Sequence, residues 1–248
     1  MMQTQLIRQY LQQGEIEQAR KMCEQALGAT PSSLPLLVLS GMLQAQQQEY
    51  EQVREYLAQL QVAGAMDVQD AALLTDIAGI YILLTETAPA LDYLQKALHL
   101  QPDYLLAIMR RGMVSLQSGY LEAAIADFNA GLQQLPSTQH VPLLINLARC
   151  YVAKGEAEQA LPYVQQAEQL GAQRREQWVL VAVDCYIALD RWQDAEQAIQ
   201  LGLKSGIEQT KGIVLWSLLL AAQDKHEEAE HQIRKALRDD PENVLLLT

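Results

Sequence analysis

The chain has 248 residues, half of them hydrophobic and 19% charged, with a formal net charge of −12. That balance excludes a disordered polyelectrolyte and points to a folded chain. Basic residues come only in short pairs such as Arg20-Lys21, Arg110-Arg111, Arg174-Arg175 and Arg234-Lys235, too few to follow a phosphate backbone, so nucleic acid is excluded as a partner.

Along the chain an alanine returns at a nearly fixed interval: Ala19, Ala90, Ala124, Ala160, Ala195 and Ala229, with Val53 filling the gap, in steps of 34, 37, 34, 36, 35 and 34 residues. Such a period sets the fold before any local detail. The first unit, 1–33, divides at Gln13-Gly14-Glu15 into two helical stretches and ends at Pro31. The second, 34–70, has Val53 for alanine, no closing proline and about three extra residues near Asp67–Asp70. The third and fourth, 71–104 and 105–138, are regular, the fourth turning at Ser118-Gly119-Tyr120. The fifth, 139–175, opens with the extra Gln139 and His140 and turns at Lys154-Gly155-Glu156. The sixth, 176–209, turns at Leu189-Asp190-Arg191, carries Val183 where a small residue is usual, and has Ile207 instead of proline. The seventh, 210–243, closes at Pro241, and 244–248 open an eighth helix. All seven units form one array.

Number each unit so that the returning alanine is position 20. Position 8 is then Ile7, Gly41, Ala78, Gly112, Ala148, Val183 and Ser217, and position 27 is small in most units (Ala26, Ala97, Gly131, Ala167, Gly202, Ala236). Small residues at 8, 20 and 27 let two antiparallel helices approach closely, while larger ones, such as tyrosine at position 11, fill the space between them. Ala, Leu, Gln and Glu dominate, all good helix formers, and no alternating Val/Ile/Thr stretch predicts a strand.

This pattern resembles the tetratricopeptide repeat family, whose helix–turn–helix unit of about 34 residues has this set of small and bulky positions. The clearest copies are Ala71–Tyr104, Leu105–Thr138 and Thr210–Asn243. The resemblance implies an all-α, right-handed superhelical solenoid of about seven repeats, whose concave surface binds a peptide or partner segment.

Helix geometry places positions 2, 5, 6, 9 and 13 of each first helix toward that surface or against the next first helix. The candidate groove residues are Arg8, Val38, Met42, Gly79, Met109, Arg110, Met113, Asn146, Arg149, Asp184 and Leu218, with Leu180, Val181, Lys211, Val214 and Leu215 on the same face. About half of such positions are expected to be packed between neighbouring first helices instead. Gly79 lies between Met42 and Met113 in repeat order and predicts a gap where a bulky partner residue could reach the backbone. Arg8, Arg110, Arg149 and Lys211 outnumber Asp76 and Asp184, so the face reads as mildly cationic. Arg110, Asn146 and Arg149 could together hold a carboxylate, or the arginines could separately reach solvent or pair with local acids. The expected partner is therefore a protein or peptide with apolar and acidic residues. Family members that clamp the carboxylate tail of chaperones use a Lys, Asn and Arg set. No lysine occupies position 5 here, which disfavours that role.

Nothing calls for catalysis, a cofactor or a metal. His226 and His231 are five residues apart, which turns their rings away from each other on a helix, unlike H-E-x-x-H. No Gly-rich phosphate loop or nucleophile motif is present, so the chain is not expected to be an enzyme. Cys23, Cys150 and Cys185 read as small buried hydrophobes. The start, Met1-Met2-Gln3-Thr4-Gln5, lacks the pattern of a leader, and no apolar run of membrane length occurs. These features predict a cytoplasmic chain without membrane insertion; a periplasmic location stays open if a leader precedes it. The leading expectation is a protein-interaction scaffold. The alternative is an N-terminal recognition module of a larger transferase or of a secretion or assembly component, suggested by the apolar stub at 244–248 where a polar cap is usual. Stacking of the array ends into a homo-oligomer is a third.

Overall fold

The computed structural model describes residues 2–46, 50–51, 53–54, 57–58, 68–172 and 176–239. The turn of the second repeat, its extra residues up to Asp67, the closing Pro241 and the stub at 244–248 lie outside the described residues. Among the described residues there are thirteen α-helices, one 3₁₀ turn (Ser137–Gln139) and no strand. None of these helices is long and apolar enough to cross a membrane.

The chain divides into two compact units, Met1–Tyr120 and Leu121–Thr248, with the boundary at the turn of the fourth repeat. In the first unit, α1 (Met2–Gln13) pairs with α2 (Ile16–Ala29), and α3 (Leu34–Gln46) packs on both α1 and α2. The pair α4 (Ala71–Leu83) and α5 (Thr87–Leu100) follows, then α6 (Leu105–Gln117) against both. The second unit opens with α7 (Leu121–Gln134). It continues with the pairs α8 (Val141–Ala153) and α9 (Ala157–Gln169), α10 (Glu176–Ala188) and α11 (Trp192–Lys204), and α12 (Gln209–Ala222) and α13 (His226–Asp239).

The periodic position is buried in every repeat. Ala19, Val53, Ala90, Ala124, Ala160 and Ala195 are all 0% exposed, and Ala229, in the last pair, is 7%. Position 8 is equally buried, including the departure Val183. Position 11 supplies the filler: Tyr81 stacks on Tyr93, and Tyr151 on Tyr163, each with ring centroids 5.5 Å apart. In the second unit Trp178 is buried, and its indole N–H donates to the Val164 carbonyl at 3.0 Å, which ties α10 to the preceding helix.

Each described hairpin turn is closed by the main chain. Position 15 has positive φ in six repeats: Gly14, Thr85, Gly119, Gly155, Asp190 and Asp224. The next amide, on Glu15, Glu86, Tyr120, Glu156, Arg191 and Lys225, donates to the carbonyl five residues back, at 2.8–2.9 Å. This is the Schellman closure, in which one left-handed residue lets the following N–H satisfy a free helix-end carbonyl. The sixth repeat, which lacks the closing proline, ends its second helix in the same way. Gly206 takes φ +96°, the Ile207 amide donates to the Gly202 carbonyl at 3.1 Å, and the Ile207 side chain covers Gly202.

Candidate functional site

The first helices of the two units carry the candidate face, and the two faces differ. In the first unit the face is filled by the chain itself. Val38 is 0% exposed and Met42 is buried, so they belong to the packing between first helices rather than to an open groove. Asp76 is buried between two arginines: Arg8 Nε donates to its Oδ2 at 2.6 Å, and Arg110 Nη1 lies 4.0 Å from its Oδ1. Arg110 also donates to the Thr75 carbonyl at 2.5 Å. Burial raises the Asp76 carboxyl above its ordinary value while the two guanidiniums pull it back down, and burial lowers Arg110.

The gap expected over Gly79 is closed. A Cβ placed there would sit 2.9 Å from Arg110 Nη1 and 3.2 Å from Met42 Cε, so the glycine makes room for this chain's own arginine and methionine. What remains beside Arg8, Asp76 and Arg110 is a space of about 100 Å³, too small for a peptide side chain and its backbone. Of the two sequence readings of Arg8 and Arg110, cations offered to a ligand or arginines paired with local acids, the geometry matches the second: both face Asp76, whose single carboxylate offsets one of the two positive charges. Met109 is half-buried, and Met113, 49% exposed, is the apolar side chain this face leaves open.

In the second unit the corresponding helices α8, α10 and α12 line an open groove of about 780 Å³. Val181 and Leu215, each 3% exposed, form its floor. Leu180 and Leu218 rise from the same helices, 39% and 49% exposed. Val152 and Val214 complete the apolar wall. Period 3.6 produces this surface: residues 180, 181 and 184 on α10, like 214, 215 and 218 on α12, recur at one helical face.

The polar groups of the groove are of two kinds. Lys211 Nζ pairs with Glu176 Oε1 at 2.7 Å and lies 4.0 Å from Glu208, so its charge is largely balanced. Arg149 is exposed and makes a long bond of 3.5 Å to the neutral Asn146 carbonyl oxygen. Asp184 has no ion-pair or hydrogen-bond partner among the described residues, and desolvation by the surrounding walls raises its carboxyl above the ordinary value. Asn146, Arg149, Asp184 and Leu218 thus all belong to the second unit, the latter three on one groove.

Glu176 is a groove residue that sequence reasoning missed. Its signal was available: it stands at position 1, one repeat ahead of Lys211 at position 2, with opposite charge. Among the described residues no group of His, Cys, Asp and Glu is placed to hold a metal ion.

No protein-family model matches the chain, and no curated protein matches it. Solved structures do. A tetratricopeptide repeat protein from Parabacteroides merdae is 18% identical and aligns over 99% of this chain and 94% of its own, with a TM-score of 0.65. PilW, a widely conserved type IV pilus biogenesis factor, is 21% identical over 84% of this chain and 94% of its own, with a TM-score of 0.67. YrrB, a tetratricopeptide repeat protein with an unusual peptide-binding site, is 20% identical over 76% of this chain and 95% of its own, with a TM-score of 0.55. Paired helices at the observed period, the buried alanine of each pair and these likenesses agree: the chain has the tetratricopeptide repeat fold.

Proposed function

We propose that the chain is a protein-interaction scaffold that takes a peptide or partner segment in the groove of its second unit. The observation that carries this reading is the open groove of about 780 Å³ with Leu180 and Leu218 standing exposed above a buried apolar floor. Exposed leucines side by side in a concavity are the ordinary mark of a docking surface. The helices that hold them are fixed by the core around Trp178, Ala182 and Leu219, so the surface is preformed. YrrB, which shares the fold, supports the reading through its own peptide-binding site.

Covering two half-exposed leucines supplies about 2 kcal/mol, whereas micromolar binding needs about 8. Backbone and charged contacts must therefore contribute. Arg149 is the cation placed to meet an acidic group on the partner, which accounts for an apolar, acid-bearing segment. The likeness of fold to a pilus biogenesis factor supports the second reading, a recognition part of an assembly component, which would use the same groove.

The test is selection of binders from a displayed random-peptide library on the wild-type chain, each binder then being measured on Leu218→Glu. Enriched peptides that lose tenfold or more in affinity on the variant support the groove. Enriched peptides indifferent to Leu218→Glu and to Leu180→Glu would move the site elsewhere.

A further inference from the structure

Arg149, Asp184 and Leu218 occupy the same repeat position, 9, on three first helices that pack in succession, α8, α10 and α12, and all three line the one groove. A cation, an anion and an apolar side chain therefore follow one another across it, one helix spacing apart. Packed helices lie about 8–10 Å apart, and a chain in the extended polyproline II conformation advances about 3.1 Å per residue with about three residues per turn, so every third side chain of such a segment returns to the same face about one spacing further on.

The anion is the informative member. Its carboxylate has no cation in bonding reach among the described residues. The two nearby cations of the groove face other groups, Lys211 its Glu176 and Arg149 its Asn146. Leu180, one turn earlier on the same helix, and Leu218 on the next helix offer apolar surface beside it. A lone carboxylate flanked by leucines suits a lysine or arginine, whose alkyl stem lies on the apolar side chains while its head meets the charge.

We infer that the groove reads an extended, polyproline II segment of the order acid-x-x-base-x-x-apolar, in either chain direction, the acid at Arg149, the base at Asp184 and the apolar residue on Leu218. The inference rests on the reading that this groove binds a peptide and adds the register and the basic residue to it. The basic residue distinguishes the partner from a purely acidic one.

Fluorescence anisotropy on the full chain with labelled synthetic peptides tests it. The matched probes carry Glu-x-x-Arg-x-x-Leu and its reverse, Leu-x-x-Arg-x-x-Glu, with Ser and Ala between. The controls carry Arg-x-x-Glu-x-x-Leu and Gln-x-x-Gln-x-x-Leu. One matched probe is expected to bind roughly tenfold or more tighter than both controls, the margin of one or two charge-assisted bonds. Asp184→Asn should erase most of that margin, and the double variant Arg149→Glu, Asp184→Arg should transfer the preference to the charge-swapped probe. Both residues are exposed, so circular dichroism and thermal melting should match wild type. If the controls bind as tightly as the matched probes, and Asp184→Asn changes nothing, the inference falls while the peptide-binding reading stands. If no probe binds, the uncharged leucine peptide included, both fall.

Discussion

Arg8 Nε meets Asp76 Oδ2 at 2.6 Å, joining the first helix of the first repeat to that of the third across 68 residues of sequence. The contact skips a repeat and passes beside the second repeat's Met42. With Arg110 on the other side, Asp76 ties three repeats into one ionic cluster. Asp76→Ala should lower the stability of the first unit by about 3 kcal/mol. That is the lower end for breaking a buried pair, because the arginines keep partial access to water. Urea unfolding measures it, and a loss below about 1 kcal/mol would show that water replaces the lost partner.

Thr85 holds φ at 59° in a turn where three other repeats use glycine. A β-branched residue pays for left-handed backbone, about 1–2 kcal/mol for an ordinary L-residue. Thr85→Gly should therefore raise stability by about 1 kcal/mol, even after the added chain entropy of glycine. The mirror experiment is Gly155→Ala. A Cβ there meets nothing within 4 Å, so its cost of about 1 kcal/mol reports the backbone angle alone.

Burial pushes the thiols of Cys23, Cys150 and Cys185 up to about 11. At pH 8 only about one thiol in a thousand is then ionised, and all three are closed to solvent. The folded chain should resist alkylation by iodoacetamide at pH 8 for hours, and three equivalents should react at once in denaturant. The linkage has a definite sign. A folded-state value above the ordinary 9 means that unfolding releases protons, so this contribution to stability is intact below pH 9 and is lost as pH climbs toward 11. Thermal midpoints taken from pH 8 to 11 should fall over that window, and Cys→Ser variants at the three sites would flatten the fall.

Leu218 is half in water already, so Leu218→Glu should leave the melting temperature within about 2 °C of wild type, as surface substitutions do. Val181→Glu, on the buried floor, should unfold the second unit. The contrast separates a surface that binds from a core that supports it. Lys211→Ala should alter peptide affinity less than Arg149→Ala, because Glu176 already occupies the lysine.

The repeat was legible because it depends on one local quantity, the space between two helices. Ala19, Ala90, Ala124 and Ala160 mark that space by their size, and each is fully buried. Ile207 looked like a defect only because its compensation lies elsewhere, in its packing over Gly202 five residues back. The groove was less legible. Counting Arg8, Arg110 and Asp76 by sign gave a cationic face, whereas geometry turns both arginines toward Asp76 and leaves one net positive charge held within the cluster. Spacing told which side of a helix Val38 and Leu218 occupy, but not that a neighbouring helix covers the first and leaves the second open. That difference comes from contacts between repeats, which no single period records.

The turns at Gly14, Gly119, Gly155 and their counterparts each owe their closure to one amide and one carbonyl of the same hairpin. A hairpin of this kind carries its own corner wherever it is copied. Duplicating or excising a unit would leave every bend intact and would disturb the seams it touches together with any contact that skips a repeat, as Arg8–Asp76 does, so an array like this can change length without relearning how to turn.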